Sequence, residues 1–79
     1  MNEYESLYVS KVTGKSFYWS DVVRLLNAQQ VAFYLSKNIE LLDVYPSKDK
    51  DTDKPLLVFV FDRKSSREVY DLWCKRKLY

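Results

Sequence analysis

Leu56-Leu57-Val58-Phe59-Val60-Phe61 is a run of six apolar residues, mostly β-branched or aromatic, with Lys54-Pro55 before it and Asp62-Arg63-Lys64 after it. A run of that length and type, bounded by a proline and by charges, predicts a strand covered on both faces. Such a segment is also an aggregation hazard, so the flanking Lys54, Pro55, Asp62 and Arg63 have a sufficient explanation as gatekeepers and need no functional role. Upstream, Leu41-Leu42-Asp43-Val44-Tyr45 reads as a shorter strand ending at Pro46, which lacks the N–H a ladder needs. The two strands are expected to pair as an antiparallel hairpin. The polar stretch from Ser47 to Lys54 between them has no hydrophobic side chain to hold it and is expected to be mobile.

A helix is predicted on each side of this hairpin. Ser65-Ser66-Arg67-Glu68 has the form of a capping box, and Val69, Leu72 and Trp73 follow at helical spacing, which predicts a last helix over about Ser66 to Lys77 with Trp73 in the core. Arg67 with Asp71, and Asp71 with Lys75, fall at i,i+4 on its outer side. Earlier, Asn27 is a good N-cap for a helix from Ala28 to about Lys37, and Ala28, Val31, Ala32 and Leu35 predict its buried stripe. Asn38 is a suitable left-handed stop for it. In the first third, Ser6 to Val12, a turn at Thr13-Gly14-Lys15, and Ser16 to Trp19 read as an N-terminal hairpin, with Val22 to Leu26 as a further strand because Asn27 is a better cap than an interior helix residue. The expected fold is α+β: a small antiparallel sheet, built from the N-terminal hairpin and the central hairpin, with two helices packed on one face.

The composition limits what such a domain does. The 79 residues make a single domain, and a domain this small buries only about 60 to 65 % of its unfolded surface. Seven Tyr, four Phe and two Trp offset that small size, since each aromatic buries roughly 150 to 250 Å². The lone Cys74 excludes an intramolecular disulfide, and the absence of histidine leaves neither a plausible zinc site nor a histidine general base. A net charge of +2 is weaker than the basic signature of a dedicated nucleic-acid binder. No apolar run approaches the roughly 20 residues of a membrane span, and Met1-Asn2-Glu3-Tyr4-Glu5 is acidic where a secretory signal is basic and then apolar. The expectation is a cytoplasmic protein with no membrane partner.

From Asn27 onward the chain resembles a small family of short, uncharacterised proteins from phages and prophages of Gram-positive bacteria. The residues that carry the resemblance are Asn27-Ala28-Gln29-Gln30-Val31-Ala32-Phe33-Tyr34-Leu35, Asp43-Val44-Tyr45, Leu57-Val58-Phe59-Val60-Phe61 and Glu68-Val69-Tyr70-Asp71-Leu72-Trp73. Asn38 stands where that family usually has a glycine, and the loop after Tyr45 is longer. The resemblance brings no catalytic residues; it implies a compact domain in a phage or mobile-element setting, where short proteins often bind host machinery.

Asp49, Asp51 and Asp53 alternate as in a calcium loop, but Lys54 stands where that loop requires glycine and Val60 where it requires the bidentate glutamate, so no metal or other cofactor is expected. Cys74 has no base partner. On a strand, Phe17 and Trp19 face one way, toward the core, and Tyr18 the other. With the first helix buried along Ala28, Val31, Ala32 and Leu35, Phe33 or Tyr34 falls at the edge of the stripe or outside it. Tyr18, Phe33 and Tyr34 are therefore the candidate anchors for a protein partner or a second copy of the chain. A second reading takes Arg63, Lys64, Arg67, Lys75, Arg76 and Lys77 as a basic stripe for nucleic acid with Tyr18 stacking on a base. The first reading is that of a non-enzymatic accessory protein that binds a host or phage protein and modulates or inhibits it. The others are the nucleic-acid module and a homo-oligomeric structural protein.

Overall fold

Alternate residues of the apolar run face two different layers, and that alternation organises the molecule. In the computed structural model, which describes residues 6–76, this run lies in a strand spanning Pro55–Asp62 (β5) at the centre of a three-stranded antiparallel sheet. Its neighbours are Val22–Leu25 (β3) on one side and Leu41–Lys48 (β4) on the other. Phe61 joins Leu25, Val31, Tyr34 and Val69 in a core on one face. Val60 joins Phe17, Val22 and Leu42 in a second core on the opposite face. The helices Ala28–Ser36 (α1) and Arg63–Arg76 (α2) supply the first core. The hairpin of Leu7–Val9 (β1) and Ser16–Tyr18 (β2), a separate two-stranded sheet, covers the second. The expected α+β fold with both helices on one face is present. The N-terminal hairpin forms a third layer across the sheet from them.

Several boundaries differ from the expectation, each for a local reason. β4 runs through Pro46 to Lys48 because it is an edge strand, where a missing N–H on the open side breaks no ladder bond. The loop is correspondingly shorter and is a hydrogen-bonded turn. Asp49 Oδ1 accepts from the Asp51 and Thr52 amides at 2.8 and 3.1 Å, the Asp49 amide donates to the Lys54 carbonyl, and Asp53 takes a left-handed φ of 57°. Those amides hold the Asp49 carboxyl below its ordinary pKa. A single 3₁₀ turn, Trp19–Asp21, links β2 to β3.

α2 starts directly after β5, and its cap is Asp62, not Ser65. Asp62 Oδ2 accepts from the Ser65 amide and the Ser65 hydroxyl, both at 2.8 Å, which lowers the Asp62 pKa. The i,i+4 partners Arg67–Asp71 and Asp71–Lys75 form no ion pair; among the described residues the ion pairs are Lys15–Glu40 and Lys48–Asp53. α1 is capped as expected, Asn27 Oδ1 accepting from the Gln29 and Gln30 amides. It ends in a Schellman arrangement: Ile39 N–H donates to the Tyr34 carbonyl and Asn38 N–H to the Leu35 carbonyl, with Asn38 at φ 62°. The expected stripe, however, is rotated. Val31 and Tyr34 are the buried residues of α1, while Ala28, Ala32 and Leu35 are exposed. Burying Tyr34 against Phe61 and Phe33 against Trp73, at centroid distances of 5.1 and 5.8 Å, removes more apolar area from water than burying two alanines.

The N-terminal hairpin is fastened to the sheet at a β-bulge. The register moves from Leu41 opposite Phe61 to Asp43 opposite Val60, so Leu42 is the extra residue and both Leu42 and Asp43 turn toward the hairpin. Asp43, 2 % exposed, accepts from the Ser10 hydroxyl at 2.6 Å and from the Val44 amide at 2.9 Å. Thr13 donates its hydroxyl to the Leu42 carbonyl at 2.6 Å. Ser10 Oγ in turn accepts the Val12 and Thr13 amides, and Gly14 takes φ +75° to close the turn.

Candidate interaction surface

The hairpin register decides which of its side chains are free. Tyr8 faces Phe17 across the strands at a centroid distance of 5.3 Å, and both point to the sheet, where they meet Trp19 at 5.1 and 5.0 Å. Tyr45 of β4 meets Trp19 edge-on, and the Arg24 guanidinium lies 4.6 Å over the Trp19 ring. The other face of the same hairpin carries Leu7 directly opposite Tyr18, with Val9 two residues along. Residues directly opposite in an antiparallel pair share a face and touch. Leu7 is 56 % exposed, Val9 55 % and Tyr18 42 %, so the three form an apolar face left open by the described residues.

The sequence-derived candidates do not converge. Tyr18 stands on this outer hairpin face as expected. Phe33 lies across the molecule on the helix layer, half-buried between Trp73 and the Lys37 ammonium, which sits 5.6 Å from its ring centroid. Tyr34 is a correction: at 1 % exposure it is a core residue, and burial pushes its phenol pKa up. Leu7 and Val9 were not singled out from the sequence. The signal was available in the hairpin itself, since a turn at Gly14 puts Leu7 opposite Tyr18.

The basic residues on the outer side of α2 are interrupted by acids. With about 100° of rotation per residue, Glu68 and Asp71 fall among Arg67, Lys64 and Lys75 on the outer side of the helix. Arg63 donates to the Val22 carbonyl at 3.0 Å, and the Arg76 guanidinium lies 3.8 Å over the Trp73 ring. Lys77 lies outside the described residues, as does the acidic stretch Met1 to Glu5. Tyr18 is on the hairpin layer and the body of α2 on the helix layer across the sheet, while Arg63 and Lys64 at the start of α2 lie beside Asp21. Cys74 is exposed next to Tyr70, whose phenol it pushes up by hydrogen bonding and charge. Among the described residues no group of three or more His, Cys, Asp or Glu is placed to hold a metal ion, and no helix is long and apolar enough to cross a membrane. No protein-family model matches the chain, and comparison with curated proteins and with solved structures finds no similar one.

Proposed function

We propose that the protein is a non-enzymatic binding module that engages a host or phage protein through the outer face of its N-terminal hairpin and modulates or inhibits that partner. The observation that carries this reading is the Leu7–Tyr18 cross-strand pair with Val9: three large apolar side chains side by side and open to water. A domain this short gains most by burying every large side chain, so an apolar face left open on a hydrogen-bonded, well-fastened hairpin is better suited to a partner than to the fold. Tyrosine beside leucine also combines a rigid apolar ring with a polar tip, the chemistry of interface anchors. The phage and prophage setting comes from the resemblance over residues 27–73. The nucleic-acid reading has less support, because Glu68 and Asp71 interrupt its basic residues on α2 and two of its arginines are engaged within the fold.

The test is retention of proteins from the lysate of a Gram-positive host on the immobilised protein, with and without nuclease, using wild type, Leu7→Ser/Tyr18→Ser and Arg67→Ala. The reading expects a stoichiometric band that survives nuclease and 0.5 M salt (roughly a 4 Å screening length), persists with Arg67→Ala and is lost with the hairpin variant. Recovery of nucleic acid alone, with every protein band lost after nuclease, overturns it. Both hairpin positions are exposed, so the variant should remain within about 0.5 kcal/mol of wild-type stability.

A further inference from the structure

On the helix side of the sheet, away from the hairpin face, β3, α1 and α2 enclose an open cleft of about 340 Å³. Its floor is Val23 and Leu25, and α1 contributes Gln30 and Tyr34. The first turns of α2 place Arg63 and Arg67 on its rim. Three separate elements thus bring an apolar floor and a few polar groups together within the volume range of small-molecule sites, about 300 to 1,000 Å³.

Two of those polar groups are incompletely satisfied. The Tyr34 hydroxyl accepts from Gln30 Nε2 at 3.5 Å, and its own proton has no acceptor among the described residues, although the residue is 99 % buried by its 1 % exposure. Burial keeps that phenol protonated, so its proton remains available to donate. Arg67 has no ion-pair or hydrogen-bond partner among the described residues, although Asp71 stands one turn along the same helix. Arg63 is held in place by its bond to the Val22 carbonyl, which uses one nitrogen of a five-donor fork. The cleft therefore offers the Tyr34 hydroxyl and two cationic guanidinium groups above an apolar floor, with the Gln30 amide and the Tyr70 phenol also in its lining. Asp71 is the one opposing charge in the lining.

We infer that this cleft binds a small carboxylate carried on an apolar or aromatic body, the carboxylate accepting from Arg67, Arg63 and the Tyr34 hydroxyl and the body lying on Val23 and Leu25. A carboxylate matches the guanidinium fork and can accept the unused phenol proton in addition. Asp71 limits the site to a monoanion.

The probe is 3-phenylpropionate, titrated into the ¹⁵N-labelled full chain and followed by amide, Arg Nε and Gln side-chain shifts. Three comparison ligands are used: its uncharged carboxamide, inorganic phosphate and a benzene dicarboxylate. The inference expects saturable shifts at the Gln30 side-chain amide and the Arg67 Nε, with the carboxamide and phosphate each at least about tenfold weaker. Arg67→Ala and Tyr34→Phe should each weaken 3-phenylpropionate about five- to tenfold, and Asp71→Asn should tighten it and admit the dicarboxylate. Arg67 and Asp71 are exposed, so these variants fold even where Tyr34→Phe does not. No saturation at about 10 mM, equal binding of acid and carboxamide, equal binding of phosphate, or shifts confined to the hairpin each overturn the inference.

Discussion

The two faces of the sheet are held by different physics. On the helix face, Leu25, Val31, Tyr34, Phe61 and Val69 pack with no buried carboxylate among them; the charged tie there is the Arg63 guanidinium on the Val22 carbonyl at 3.0 Å, and the helices follow their strands through tight caps at Asn27 and Asp62. The hairpin face has an aromatic cluster too, but it is also fastened by a buried carboxylate at a bulge, by Thr13 on a freed carbonyl and by the Lys15–Glu40 ion pair at 3.4 Å. Apolar volume tolerates sliding, whereas a hydrogen-bonded latch fixes one register. A hairpin that presents a binding face outward needs its register fixed, because a one-residue slip would turn Leu7 and Tyr18 inward.

The largest effect is expected on the helix face. Phe61 is fully buried at the junction of both helices, and Phe61→Ala should cost about 3–5 kcal/mol, a large share of the stability of a domain this size. Urea unfolding should show one cooperative transition with a lowered midpoint. A separate early transition of the helices would mean that the two faces are independent, and the comparison would fail.

The hairpin latch should respond to chemistry more than to volume. Asp43 Oδ2 is buried and has no hydrogen-bond partner, while Oδ1 takes the Ser10 and Val44 donors. Asp43→Ala strands those donors and should cost about 1–3 kcal/mol. Asp43→Asn keeps the Oδ1 acceptor but puts an amide NH2 at the partnerless Oδ2 position, so it should lose less stability than Asp43→Ala. Hydrogen exchange discriminates further: in Asp43→Ala the amides of Ser10, Gly14 and the β1–β2 ladder should exchange faster, with the α1 and α2 amides unchanged. Equal acceleration on both faces would show that the latch serves the whole fold.

The cap that joins the sheet to α2 should give a smaller effect, about 1 kcal/mol for Asp62→Ala. It carries a pH dependence of defined sign. The Ser65 amide and hydroxyl lower the folded pKa of Asp62, so its contribution is fully present above the unfolded value near 3.9 and is lost as pH falls through the lower folded value. Urea midpoints of wild type and Asp62→Asn should therefore differ by a constant amount from pH 7 down to about pH 4 and draw together only as the pH falls further. Ser65→Ala, which leaves the amide donor in place, should lose less than Asp62→Asn at pH 7.

Much of this was legible in the sequence, and the failures have a common cause. The central strand, both helices, β3 and the inward Phe17 with outward Tyr18 follow from periodicity and cap chemistry. Periodicity misjudged α1 because it counted Ala28 and Ala32 as equal to Tyr34, whereas burial follows area. The Ser65-Ser66-Arg67-Glu68 pattern fitted a capping box, but Asp62 caps first because β5 runs straight into the helix. The Asp43 latch and the cleft between β3, α1 and α2 had no local signal at all. The latch depends on a bulge that pairs Ser10 with a residue 33 positions away, and the cleft is lined by residues far apart in the chain. The outer hairpin face lies between these cases, since Tyr18 was recognised and its cross-strand partner Leu7 was not.

The smallest expected effect concerns the junction from α1 to β4, where helix face and latch meet. Asn38 holds φ 62°, and the Ile39 amide behind it closes the Schellman bond to Tyr34, which sets Ile39 against the helix-face core and starts the strand that carries Asp43. Asn38→Gly removes the Cβ strain of the left-handed conformation but adds unfolded-state freedom, so its net change should stay within about 0.5 kcal/mol. Asn38→Ala keeps the strain without the local hydrogen bonding that lets Asn tolerate it, and should cost roughly 1 kcal/mol. If this junction positions the latch, the alanine variant should raise exchange at Ser10 and Gly14 as well as at Asn38 and Ile39, and the glycine variant should raise none of them. Acceleration confined to the helix end would instead assign the left-handed turn to α1 alone and leave the latch set by the bulge.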